Sequence, residues 1–242
     1  MSVFIAVLLA SFMACAVTTA GILVIGRHRD WANRNAAYFM SFAAGVLIAV
    51  SFIHIIPKCF TMNPEAPTYL LAGFLLLYVF NRFLKGYVCQ HRCHQELALG
   101  LTPLVGIGFH SLLDGVIHSV TFNVSIFTGI TAAIGMVLHE FPEGIVTYLL
   151  LDRSGFSKRR ASLFAFLAAA LSTPIGTLIS FPLIRTIDPS ALGALLAASA
   201  GALVYVGASH LLPAVEQENK RHTLIALLVG IGVAFWIVFS QK

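Results

Sequence analysis

Apolar runs of roughly 20 residues follow one another along almost the whole chain, broken only by short polar stretches. Those long enough to cross about 30 Å of hydrocarbon predict eight helices, at about 3–26, 36–57, 67–84, 99–122, 127–150, 161–184, 190–213 and 223–240. The first run is too long for a signal-peptide core and has no charged side chain before it, so it reads as a retained span. The expected fold is an all-α membrane protein: one polytopic transmembrane domain over residues 1–242.

Composition agrees with a chain that has lipid as its solvent. Hydrophobic residues make up 58% and charged residues 10%, and the mean hydropathy is +0.89, whereas a soluble domain carries about 25% charged residues. An ordinary soluble enzyme is excluded. The net charge of +5 would suggest a nucleic-acid partner in a soluble chain, but the basic residues fall in short loops and report topology instead. Arg27, Arg29, Arg34, Arg82, Lys85, Arg92, Arg153, Lys158, Arg159, Arg160, Lys220 and Arg221 follow the odd-numbered spans. Only Lys58, Arg185 and Lys242 lie on the other side. The positive-inside rule then puts both termini outside the cytoplasm. No organelle signal is legible, so the plasma membrane is expected, meaning the inner membrane of a bacterium.

One segment recurs. Ala44-Gly45-Val46-Leu47, Val50, His54 and Pro57 match Ala200-Gly201-Ala202-Leu203, Val206, His210 and Pro213 at a constant offset of 156. These copies sit in spans 2 and 7, which run in opposite directions. The expected repeat is therefore inverted, relating spans 1–3 to spans 6–8, as in carriers that alternate access. Tight packing of small residues explains Ala and Gly but not the shared His and Pro.

Spans 4 and 5 contain what a bilayer ordinarily excludes. Between Arg92 and Arg153 there is no Lys or Arg, yet Asp114, Glu140 and Glu143 lie within apolar runs together with His110, His118 and His139. A carboxylate at a helix centre costs about 2.5 to 3.5 kcal/mol on insertion scales, and no local cation of the protein offsets it. His110, Asp114 and His118 recur every four residues on one face, with Ser111 beside them, and His139 and Glu143 share a face flanked by Glu140. His110 and His139 are almost equally far from the turn at 123–125, so an antiparallel hairpin should bring them together near the midplane. Imidazole and carboxylate ligands suit zinc, and iron, manganese, cobalt, nickel or cadmium can use the same set. Pro142 removes a backbone bond to the Leu138 carbonyl and is expected to open the helix there.

His110-Ser111-Leu112-Leu113-Asp114-Gly115 and His139-Glu140-Phe141-Pro142-Glu143-Gly144 resemble the paired signatures in the fourth and fifth helices of the ZIP (Zrt-, Irt-like) metal transporters. That resemblance implies a central metal site at His110, Asp114, His139 and Glu143, with Ser111 and Glu140 contributing to an adjacent one. It also implies metal movement toward the cytoplasm, with one helix group moving against another in some members. Departures are Ser111 where many members have Asn, and Thr173 near the position of a sixth-helix glutamate in some binuclear members. The number of metal ions per site therefore stays open.

Other donors have weaker claims. His118, His54 and His210 are candidate pathway ligands, or else bond backbone carbonyls freed near Pro57 and Pro213. Cys89, His91, Cys93 and His94 form a loop able to capture zinc, without standard finger spacing. The four cysteines imply no disulfide framework. No prosthetic group is implied. The partners to expect are divalent metal ions, the bilayer and a second copy in a homodimer, not nucleic acid. A zinc-dependent intramembrane hydrolase is the alternative, because His139-Glu140-x-x-Glu143 resembles His-Glu-x-x-His, although Glu143 replaces the second His. A membrane metal sensor is a third reading.

Overall fold

The computed structural model describes residues 3–83, 92–124, 126–183, 188–217 and 220–239. Among these residues all regular structure is helical. The helices are α1 (Val3–Arg27), α2 (Arg29–Arg34), α3 (Ala36–Met62), α4 (Ala66–Phe83), α5 (Arg92–Val124), α6 (Ile126–Arg153), α7 (Lys158–Leu183), α8 (Pro189–Glu216) and α9 (Thr223–Phe239). Seven of them contain a stretch long and apolar enough to cross a membrane, against the eight expected. The difference is α9, whose described part ends at Phe239 after 17 residues.

The outward faces are apolar. Leu9, Phe12, Leu23, Leu76, Val79, Leu224 and Trp236 are all more than half exposed, while His110, Ser111, Asp114, Glu140 and Glu143 are buried. This inversion of the soluble pattern is what a hydrocarbon solvent produces, because every polar group must find its partner inside the protein.

Helices pair through glycines. α3 packs on α9, α4 on α8, α1 on α6 and α5 on α7. A Cβ on Gly45 would lie 2.4 Å from the Leu227 carbonyl oxygen, and one on Gly201 would lie 2.0 Å from that of Leu70. Gly73 meets Ala198 and Gly230 meets Phe42 equally closely. With no side chain, the backbones reach distances at which dispersion alone holds helices together in lipid.

Three helices are not regular throughout. α3, α7 and α8 contain π-helical segments at Ser51–Ile55, Phe166–Ala170 and Tyr205–Leu211, each a few residues before Pro57, Pro174 or Pro213. A proline ring collides with the carbonyl four residues back, and the wider π turn moves that carbonyl aside. Pro142, expected to open its helix, does not: α6 is α-helical from Ile126 to Arg153 with Pro142 inside it. The ring is carried by a helix that packs closely on α1 and α5 over its length.

Two polar clusters fasten the end of the bundle at which α1 meets α2. The buried Asp152 accepts from Arg29 Nε at 3.0 Å and from Asn33 Nδ2 at 2.8 Å, which ties α2 to α6. This hydrogen bond and the carboxylate charge hold the Arg29 guanidinium above its ordinary range. Nearby, Asn81 of α4 donates to the Tyr205 hydroxyl at 2.6 Å and accepts from Thr102 of α5 at 3.3 Å.

Candidate metal centre

α5 and α6 run antiparallel, and each presents an imidazole to the other one helical turn from a carboxylate. The His110 and His139 ring centroids are 5.7 Å apart. His139 Nε2 lies 3.0 Å from Asp114 Oδ2 and donates to it, while His110 Nε2 is 3.4 Å from the same oxygen. His110, Asp114 and His139 each offer a ligand atom, and these atoms lie within 4.8 Å of one another. That spacing lets one cation, at about 2 Å from each, replace the proton now shared by His139 and Asp114.

The unsatisfied atoms mark the same place. His110 Nε2 and both oxygens of Glu143 are buried without a hydrogen-bond partner, and Glu143 Oε1 sits 3.8 Å from His110 Nε2. Buried polar atoms without partners cost about 1 to 3 kcal/mol each, more for charged groups, so their convergence calls for a cation. Glu143 adjoins the three-residue cluster from the next turn of α6 without joining its close spacing.

The other expected residues are distributed around this centre. The two carboxylate oxygens of Glu140 accept from Thr173 Oγ1 of α7 at 2.9 Å and Thr18 Oγ1 of α1 at 3.3 Å. Ser111 Oγ is buried and without a hydrogen-bond partner, as are both ring nitrogens of His118, whose ring lies 6.4 Å from that of Phe122. His210 Nε2 donates to the Leu99 carbonyl at 3.0 Å. Cys89 and His91 fall outside the described residues, as do the side chains of Cys93 and His94.

A cavity of about 350 Å³ reaches the cluster. His110, Asp114 and His139 line its floor, His54 its wall, and Lys58, Thr121 and Phe127 its mouth, at the end of the bundle where α5 turns into α6. At the opposite end α5 is bonded to α4 and α8 through Thr102, Asn81, Tyr205, Leu99 and His210. Among the described residues, this cavity is the path from the centre to the Lys58 end.

Two participants escaped the sequence reading. Ser199 of α8 lies 2.9 Å from His110 Nδ1 and is fully buried, so it fixes the ring whose Nε2 faces the cavity. Nothing distinguishes it in sequence from other serines of an apolar helix. Lys58 corrects the statement that no cation of the protein is near: it lines the same cavity as Asp114. The signal was its place four residues after His54, which a count confined to spans 4 and 5 leaves out.

A polytopic helical membrane protein whose buried imidazole and carboxylate groups converge at the floor of a cavity has the architecture of a divalent-cation carrier. The chain belongs to the ZIP zinc transporter family, whose sequence model matches residues 90–238. It is 31% identical to the zinc transporter ZupT of Nitratidesulfovibrio vulgaris, over 88% of each chain. Identity to the zinc transporters ZupT of Chlorobium luteolum and Corynebacterium glutamicum is 28% and 27%. These alignments cover 96% and 92% of this chain and 97% and 93% of the relatives.

Proposed function

We propose that this protein carries zinc across the plasma membrane into the cytoplasm, with His110, Asp114, His139 and Glu143 as its ligands and Ser111 and Glu140 beside them. The observation that carries the reading is the convergence of unpartnered His110 Nε2 and Glu143 oxygens on the His139–Asp114 pair at the floor of a cavity. Family membership and the zinc transport named for its relatives support zinc as the cargo. Iron, manganese, cobalt, nickel and cadmium are competitors for the same donors. The carrier works as a monomer or a homodimer, with no prosthetic group.

Eight spans and an inverted repeat are part of this proposal. In its support, Gly45 meets α9 as Gly201 meets α4, and Gly230 meets α3 as Gly73 meets α8. In each His-x-x-Pro copy the His lies within a π segment and the Pro two residues past its end, and Thr18 and Thr173, 155 residues apart, both donate to Glu140. The bias of basic residues supports termini outside the cytoplasm, which makes the Lys58 end of the cavity the outer mouth. His54 and His118 then belong to the outer path, and His210 to the inner end.

The hydrolase reading finds no support. Glu140, at the position a general base would need, is engaged by two threonines, and Glu143 stands in place of a second imidazole. Purified protein in liposomes loaded with a zinc indicator is the test. Uptake is expected in the unmodified protein and abolished by His139→Ala and Glu143→Ala. Stoichiometric binding without flux would favour a sensor, and flux untouched by both substitutions would reject this centre.

A further inference from the structure

Asp114, on the cavity floor, shares its space with a positive charge of the protein. Lys58 lies at the mouth, one turn beyond His54 and just past Pro57, and it lines the cavity together with Asp114, His110 and His139. Among the described residues it forms no ion pair. Among the described residues no other Lys or Arg lines this cavity. Thr121, which shares the mouth, is seven residues beyond Asp114 on α5, so the mouth stands about 10 Å above the floor. A lysine stem with its ammonium can cover much of that distance, and the pocket offers apolar wall for the stem in Ile55, Ile117 and Leu196.

We propose that Lys58 is a tethered competitor for the incoming metal: its ammonium supplies countercharge to Asp114 when the carrier is empty and repels the ion as it binds. This rests on the carrier reading above and adds an affinity- and rate-setting residue to it. An unopposed His/carboxylate cluster with buried walls would hold zinc too tightly to release it. A fixed positive charge in the access path weakens the bound state and offsets the cost of leaving Asp114 bare once the metal has gone. Lys58 can do both because it is attached to α3, which faces the cavity without belonging to the α5–α6 hairpin that carries the cluster.

The size of the effect follows from the geometry. A unit charge about 7 to 10 Å from a divalent ion changes its affinity by about threefold to tenfold even at the dielectric of water, and salt screens part of this. The test measures zinc binding to the purified protein by calorimetry, at low and at high ionic strength, and zinc flux in liposomes for Lys58→Met, Lys58→Glu and Lys58→Arg. Lys58→Met should tighten binding and lower KM threefold to tenfold at low salt, with a smaller gain at high salt. Maximal flux should fall in the same variant, because a tighter site releases more slowly. Lys58→Glu should go further in both respects, and Lys58→Arg should restore the unmodified behaviour.

Binding and KM unchanged within twofold in both Lys58→Met and Lys58→Glu would overturn the proposal, since the ammonium would then lie out among the lipid headgroups. Weaker binding in Lys58→Met would overturn it as well. A misfolded variant is recognised by loss of zinc binding in Lys58→Arg too, and Lys58→Gln then replaces it in the same comparison. Failure of the carrier reading has a different signature: the unmodified protein would bind or move no zinc, or would do so equally well after His139→Ala.

Discussion

Replacing Ser199 with alanine isolates the support of one ligand from the ligand itself. Ser199 Oγ is 2.9 Å from His110 Nδ1, both groups are buried, and His110 Nε2 is the atom that faces the cavity. With the hydroxyl gone, Nδ1 has no partner among the described residues, so nothing fixes the tautomer or the ring plane. A buried polar atom left without a partner costs about 1 to 3 kcal/mol. Removing the hydrogen bond that orients a metal-binding imidazole typically costs about tenfold to a hundredfold in metal affinity. The two estimates agree, because 1.4 kcal/mol is about a factor of ten. Zinc binding by calorimetry on purified Ser199→Ala should thus weaken by about tenfold to a hundredfold, and Ser199→Thr, which keeps a hydroxyl at the same distance from the backbone, should recover most of it. Flux at saturating zinc should change less than flux at low zinc. Affinity within twofold of the unmodified protein would refute the reasoning, because His110 would then not be a ligand or would not need Ser199 to point it.

Thr173→Val keeps the shape of the side chain and removes the stronger of the two donors to Glu140, so zinc flux should fall about tenfold, with Thr18→Val milder at its longer 3.3 Å contact. Gly201→Val would drive a side chain into the Leu70 carbonyl, where even a Cβ sits at 2.0 Å; the protein should lose about 3 kcal/mol or fail to accumulate, as read by thermal unfolding in detergent. Metal must displace the proton that His139 shares with Asp114, so lowering the pH strengthens its competitor. Zinc affinity should drop by up to about tenfold per pH unit between about pH 7.5 and 6, and affinity that rises on acidification would contradict the site. His210→Ala removes the bond to Leu99, so a cysteine-reactive probe added from the His210 side of the membrane should label a Leu99→Cys reporter faster.

The helices and the two His/carboxylate signatures were legible because both depend on local spacing. A run of apolar residues identifies a segment whatever its neighbours, and four-residue intervals put His110 beside Asp114 before any tertiary contact is known. The meeting of His110 with His139 followed from counting residues out from one turn, and their rings lie 5.7 Å apart. What failed to show in the sequence depends on contacts between helices distant in the chain. Ser199 is one serine among several, and only the packing of α8 on α5 brings it to His110. The threonines that donate to Glu140 come from α1 and α7, and no spacing within one helix reveals them. Lys58 was counted as a loop charge, since hydropathy cannot say that α3 continues as a helix to Met62 and carries it along the cavity. Pro142 shows the limit of a local rule: the expected opening is absent there, while the π segments appear ahead of Pro57, Pro174 and Pro213.

The distribution of partners also says where the molecule can yield. Glu140 and its threonines lie wholly within α1, α6 and α7, and the metal cluster lies wholly on α5 and α6. The tight pairs α3 with α9 and α4 with α8 are closed against each other by glycines. Between these two groups the contacts are side-chain packing of Val116, Ile117, Val146 and Leu150 on α3 and α8, a few hydrogen bonds from α5 to α4 and α8, a cavity of about 350 Å³, and an apolar groove between Phe42, Phe141, Pro142 and Val229. Backbones packed at glycine distance cannot slide without collision, whereas side-chain hydrogen bonds and unfilled space can be exchanged at a cost of about 1 kcal/mol each. Any motion that closes the Lys58 end and opens the His210 end therefore runs most easily along this seam, carrying the cluster with α5 and α6. Ser199 lies on the far side of the seam, so the bond that orients His110 in the present arrangement would break in such a motion.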